Sequence, residues 1–76
     1  MHSSERIITR QRQVLVLLTL RNNEIAEKLS LKPRTVEKCI ELLLDQYGVE
    51  TRSQVIIEAL RKGDIQLEEF VAGMRL

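Results

Sequence analysis

The apolar residues of this 76-residue chain recur at helical spacing, and no run of them alternates as a half-buried strand would. Val36, Ile40, Leu43 and Tyr47 fall four, three and four residues apart, so they share one face of a helix. Pro33 opens that run, where proline is favoured: the N–H it lacks would have had no intrahelical partner, and its fixed φ already suits a helix. The pattern predicts a helix over residues 33–47, closed by Gly48, which readily takes the left-handed conformation of a helix end. Before it, Ile25, Ala26 and Leu29 mark a shorter helix over residues 23–29, with Asn22 as its expected N-cap. Only a tight turn carrying Leu31 separates the two.

The flanking stretches supply the rest of a small helical core. Residues 1–8 read as a loose lead-in whose Ile7 and Ile8 close over that core. Thr9 is expected to cap a helix that turns Arg10 and Arg12 outward and Val14, Leu15, Leu17 and Leu18 inward, leaving Val16 and Leu20 without an assigned role. Thr51 and Gln54 have the spacing of a capping box, which starts a helix over residues 52–62. Val55, Ile56, Ala59 and Leu60 line one side of it, Ile57 lies off that side, and Gly63 stops it behind Arg61 and Lys62. In the tail, Leu67, Phe70, Val71 and Met74 form an apolar side that serves to dock on the domain, to extend a subunit contact, or neither. The expected fold is all-α: a four-helix domain over residues 1–65 with a short, helical extension over 66–76.

Opposite the buried face of the 33–47 helix stand Arg34, Lys38, Glu41 and Asp45, flanked by Glu37. A short helix, a tight turn and a longer amphipathic helix with a polar outer stripe make a helix-turn-helix, whose physical use is to lay that stripe in a DNA major groove. The net charge of +1 says little by itself, but it is uneven: residues 1–38 hold eight basic and four acidic side chains, residues 39–76 four and seven. The basic half contains the elements that meet phosphates in such a complex.

Other chemistry is scarce. Cys39 is the sole cysteine and His2 the sole histidine, so no intrachain disulfide, metal site or cofactor is expected. No nucleophile–base pair or glycine-rich phosphate loop is present, and the chain does not read as an enzyme. The apolar run from Val14 to Leu18 is far short of the roughly 18 to 20 residues of a membrane span, and no secretory leader is visible, so a cytoplasmic protein is expected.

The segments NNEIAEKLSLKPRTVEK and GVETRSQVIIEALRKGDI together resemble the DNA-binding domain of LuxR-type transcription regulators, the GerE or NarL/FixJ type. Glu24, Ile25, Ala26, Leu29, Pro33, Arg34, Thr35, Val36, Gly48, Val49, Arg52, Ser53 and Gln54 carry the likeness, which spans residues 7–65. Sigma-factor region 4 is a poorer match, lacking the GV-x-x-RSQ segment. The resemblance implies a transcription regulator that binds double-stranded DNA as a homodimer on half-sites one helical turn apart. It places Glu37, Lys38 and Glu41 at base edges, where lysine donates to guanine and glutamate accepts from the cytosine amino group. Lys32, Arg34 and Thr35, with Asn22 and Asn23, are implied phosphate contacts, and the helix of Val55, Ile56, Ile57, Ala59 and Leu60 the implied dimer seam. A controlling receiver domain upstream, or a larger regulator as partner, fits the same family.

Several positions depart from the family pattern. Ile8-Thr9-Arg10-Gln11 replaces a T-P-R-E helix start, the link after the first helix is shorter, Cys39 replaces a frequent histidine and Gln46 a lysine. Glu37, Glu41 and Asp45 make the outer stripe acidic beyond its first turn, which opposes attraction to phosphates. The alternative expectation is a domain that keeps this fold as a protein-interaction module with little or no DNA binding.

Overall fold

A computed structural model describes the backbone of residues 2–75 and the side chains of residues 9–75. It comprises five helices, and no strand occurs among the described residues: α1 (His2–Val16), α2 (Asn22–Leu29), α3 (Pro33–Tyr47), α4 (Arg52–Lys62) and α5 (Leu67–Arg75). The core takes Val14, Leu15, Leu17 and Leu18 from the end of α1 and its following turn, Ile25 and Ala26 from α2, and Val36, Cys39, Ile40 and Leu43 from α3. Val55 and Ala59 of α4, Ile65 and Phe70 complete it. Helix α3 packs against α1, α2 and α4, and so runs through the middle of the domain with only its outer face free.

Three helix ends share one solution to the problem of orphaned carbonyls. After α2, Ser30 N–H donates to Glu27 O and Leu31 N–H to Ala26 O; after α3, Gly48 N–H donates to Asp45 O and Val49 N–H to Leu44 O. After α4 the same pair of bonds runs from Gly63 to Leu60 and from Asp64 to Ala59. Each motif needs one left-handed residue, which glycine supplies at Gly48 (φ 66°) and Ser30 supplies under strain (φ 55°). The chain reverses so tightly between α2 and α3 because Leu31 then turns back to pack on the core.

Some expectations need correction. Helix α1 does not begin at a Thr9 cap but continues back to His2, since no residue between them opposes a helix; the expected covering role of Ile7 and Ile8 lies outside the described side chains. Leu17 and Leu18 are buried as expected, yet from the turn after α1. Arg21, not Asn22, is the N-cap of α2: its backbone N–H donates to Glu24 Oε1 at 3.1 Å, the reciprocal half of a capping box. The Thr51 box forms as read, with Gln54 N–H on Thr51 Oγ1 at 3.2 Å and Thr51 N–H on Gln54 Oε1 at 3.0 Å.

The tail is helical, and Phe70 docks it into the core. Docking is close: a Cβ on Gly73 would lie 2.8 Å from Val16 O and 2.9 Å from Leu17 Cδ2, so only glycine lets α5 approach the end of α1. Val16 and Leu20, unassigned from the sequence, are half-buried against the core. Leu67 and Met74, in contrast, stay exposed rather than docking with Phe70.

Candidate nucleic-acid interface

Helix α3 turns one face inward through Val36, Cys39, Ile40 and Leu43, which fixes by rotation what the opposite face presents. Lys32, Arg34, Glu37, Lys38, Glu41 and Asp45 are all exposed, and Thr35 is half-buried beside them. None of these side chains takes part in a hydrogen bond or ion pair with another described residue. The N-terminus of the helix is open as well. Lys32 caps it only by its backbone, in an extended conformation with no side-chain bond. Thr35 and Val36 N–H both return to Lys32 O, at 2.9 and 3.2 Å, and Pro33 has no N–H, so the Arg34 amide faces outward without an acceptor. Three cations, Lys32, Arg34 and Lys38, thus gather around the positive end of a helix dipole, an arrangement suited to a polyanion.

The other expected contact residues divide. Asn23 is exposed at the start of α2, but Asn22 has a structural partner: its Oδ1 accepts from Arg52 Nη1 at 2.8 Å. Arg52 Nη2 also donates to Leu18 O at 3.0 Å and Leu20 O at 2.7 Å, so one guanidinium from α4 ties down the whole α1–α2 link. That clamp holds α2, and through it the turn, at a set angle to α3. Cys39 faces the core; burial pushes its thiol pKa up, with Arg10 opposing weakly, so it stays protonated.

Of the expected seam on α4, Val55 and Ala59 are fully buried within one chain and cannot meet a partner. Ile56 and Leu60 are half-buried against the same core, and Ile57 alone is open, at 60% exposure. The physical reason is that α4 must cover α3, which consumes its principal apolar face.

One further residue belongs to the outer side of α3. Leu42, half exposed, lies one helical turn beyond Lys38 on the outward side of α3, where an apolar side chain can meet a thymine methyl group. Its spacing of four from Lys38 was the available signal.

At the far end of α3 Tyr47 is engaged within the chain. Tyr47 donates to Asp64 Oδ2 at 2.7 Å, and Lys62 Nζ stands 5.4 Å from the centre of the tyrosine ring. Arg12 Nη1 donates to Asp64 O at 2.6 Å and Arg12 Nη2 to Glu69 Oε1 at 2.7 Å, which joins α1, the α4–α5 link and α5. Burial, the Asp64 hydrogen bond and the Asp64 charge push the Tyr47 pKa up to about 12, against a smaller opposing effect of Arg12.

Comparison with known proteins agrees with this geometry. The family profile described as bacterial regulatory proteins, luxR family, matches residues 8–59. The chain is 37% identical over 60 residues to the spore germination protein GerE of Bacillus subtilis (strain 168), an alignment covering 76% of this chain and 81% of that one. No solved structure matches. No helix among the described residues is long and apolar enough to cross a membrane.

Proposed function

The chain belongs to the luxR family of bacterial regulatory proteins, with the helix-turn-helix of a DNA-binding transcription regulator, and we propose that it places α3 in the major groove of duplex DNA as a dimer on two half-sites. The observation that carries this reading is the open, unpaired cationic N-terminus of α3. Lys32, Arg34 and Thr35 meet phosphates there, joined by the exposed Asn23 from α2 and by whatever reach Asn22 keeps beside Arg52. Lys38, Glu37 and Glu41 read base edges, lysine donating to guanine and the carboxylates accepting from cytosine N4. Ile57 is the part of α4 open to a partner subunit.

Fluorescence anisotropy with a mixed duplex library at several salt concentrations tests this. Binding should weaken steeply with salt and enrich a two-fold-related sequence. Arg34→Ala with Lys38→Ala should abolish it while circular dichroism shows an unchanged fold; unchanged binding by that variant would remove α3 from the groove.

One observation favours a second reading. Glu37, Glu41 and Asp45 are as exposed and unpaired as the cations, and carboxylates on this face repel phosphates. In a protein-interaction module they would face a basic partner instead. Replacing Glu41 and Asp45 with lysine separates the two: a gain of DNA affinity from a measurable baseline fits a groove-binding helix, and affinity absent before and after fits the interaction module.

A further inference from the structure

Helix α5 has two apolar sides of different fate. Phe70 and Gly73 face the core, whereas Leu67 (62% exposed) and Met74 (52%) stand in solvent with the half-buried Val71 between them. These three fall at i, i+4 and i+7, a continuous outward stripe along the whole of a nine-residue helix. Glu68 and Arg75 run along one flank of that stripe, seven residues apart. Both are exposed, neither pairs with another described residue, and at about 10 Å of helical rise they are too far apart to pair with each other.

This pattern is self-complementary under a two-fold axis. If two copies of α5 lie antiparallel with the axis near Val71, Leu67 meets Met74 of the other copy, Val71 meets Val71, and Glu68 and Arg75 form two crossed ion pairs. An unrelated protein partner would require no such symmetry between the two ends of the helix. We infer that two copies of this chain associate through the outward face of α5, in antiparallel register about Val71. The inference rests on the dimer part of the reading above and not on DNA recognition.

A pair of such short helices buries less than the roughly 1,000 Å² of a stable interface, so the association is weak in free solution and is reinforced where adjacent half-sites raise the local concentration. The seam is therefore measured on the full chain, without DNA, at high protein concentration.

Val71→Cys and, separately, Ile57→Cys are made in a Cys39→Ala background and oxidised mildly. A disulfide-linked dimer from Val71→Cys, whether or not Ile57→Cys also links, supports the α5 seam. Linkage from Ile57→Cys alone overturns it while leaving a dimer, and linkage from neither overturns it together with the dimer. Sedimentation of charge variants gives an independent reading. Glu68→Arg should weaken self-association about tenfold, and adding Arg75→Glu should restore it, because both crossed pairs reform with reversed sign. A double variant as weak as the single one would overturn the antiparallel register. Because these measurements are made without DNA, they test the seam whatever the DNA affinity of the variants.

Discussion

At the N-terminal end of α3, Lys32, Arg34 and Lys38 have no partner among the described residues, whereas at its C-terminal end Tyr47 is held by Asp64, and Asp64 in turn by Arg12. The C-terminal end is tied to charged groups of other elements, Asp64 and Arg12, and the N-terminal end is not. A charged side chain with an intrachain partner has its polar needs met where it stands; one without a partner keeps its full attraction for an external ion. The same helix is thus anchored at one end and left available at the other, and the two ends should respond differently to substitution.

The largest effect is expected at the anchored end. Phe70→Ala removes the buried ring that docks α5 and should cost about 3 kcal/mol in urea unfolding, with the affinity of the still-folded protein for a single half-site unchanged. A matching loss of affinity in folded protein would break the division between the ends. Arg52→Ala comes next, at about 2 kcal/mol, because three acceptors, Leu18 O, Leu20 O and Asn22 Oδ1, lose a charged donor. Unlike Phe70→Ala, it should also weaken binding to a single half-site, since the clamp sets the angle of α2 against α3.

These two residues also show what the sequence could reveal. Helices α3 and α4 were legible because their signals are local: Pro33 and Gly48 bound the one, Thr51, Gln54 and Gly63 the other. The partner of Asn22 was not, since Arg52 lies thirty residues away and only the tertiary fold brings the two together. Periodicity put Leu67, Phe70, Val71 and Met74 on one side of α5, but the angle at which the helix docks is set by Gly73 against Val16, so Phe70 enters the core and its neighbours do not. In the same way the α4 periodicity marked an apolar side without saying that α3 would consume it. The outer face of α3 was readable residue by residue, because the inner face is so strictly apolar that rotation leaves no choice.

Tyr47→Phe sharpens the comparison through pH. Its raised pKa means that the folded state holds the phenolic proton more tightly than the unfolded state does. The associated stability is fully present below about pH 10 and is lost as pH rises toward about 12, because the unfolded chain then releases protons that the folded chain retains. At neutral pH the substitution should cost about 1 kcal/mol, the worth of one hydrogen bond. Between pH 10 and 12 the wild-type protein should lose stability faster than the variant, and parallel unfolding curves for the two would show that the Asp64 bond does not hold this end of α3.

The smallest effect has the opposite sign and lies at the available end. Ser30 occupies the left-handed position between α2 and α3 that glycine fills after α3 and α4, and its side chain makes no hydrogen bond with a described residue in compensation. An L-residue there costs roughly 1 to 2 kcal/mol, partly offset because glycine leaves a freer unfolded chain. Ser30→Gly should therefore stabilise the domain by about 0.5 to 1 kcal/mol in thermal or urea unfolding. Because the turn geometry is unchanged, the exposed cations of α3 keep their places and DNA affinity should stay the same. A stabilised variant with altered affinity would mean that the strain at Ser30 helps to set the angle between the two helices, and that the open end of α3 is tuned by its turn as well as by its charges.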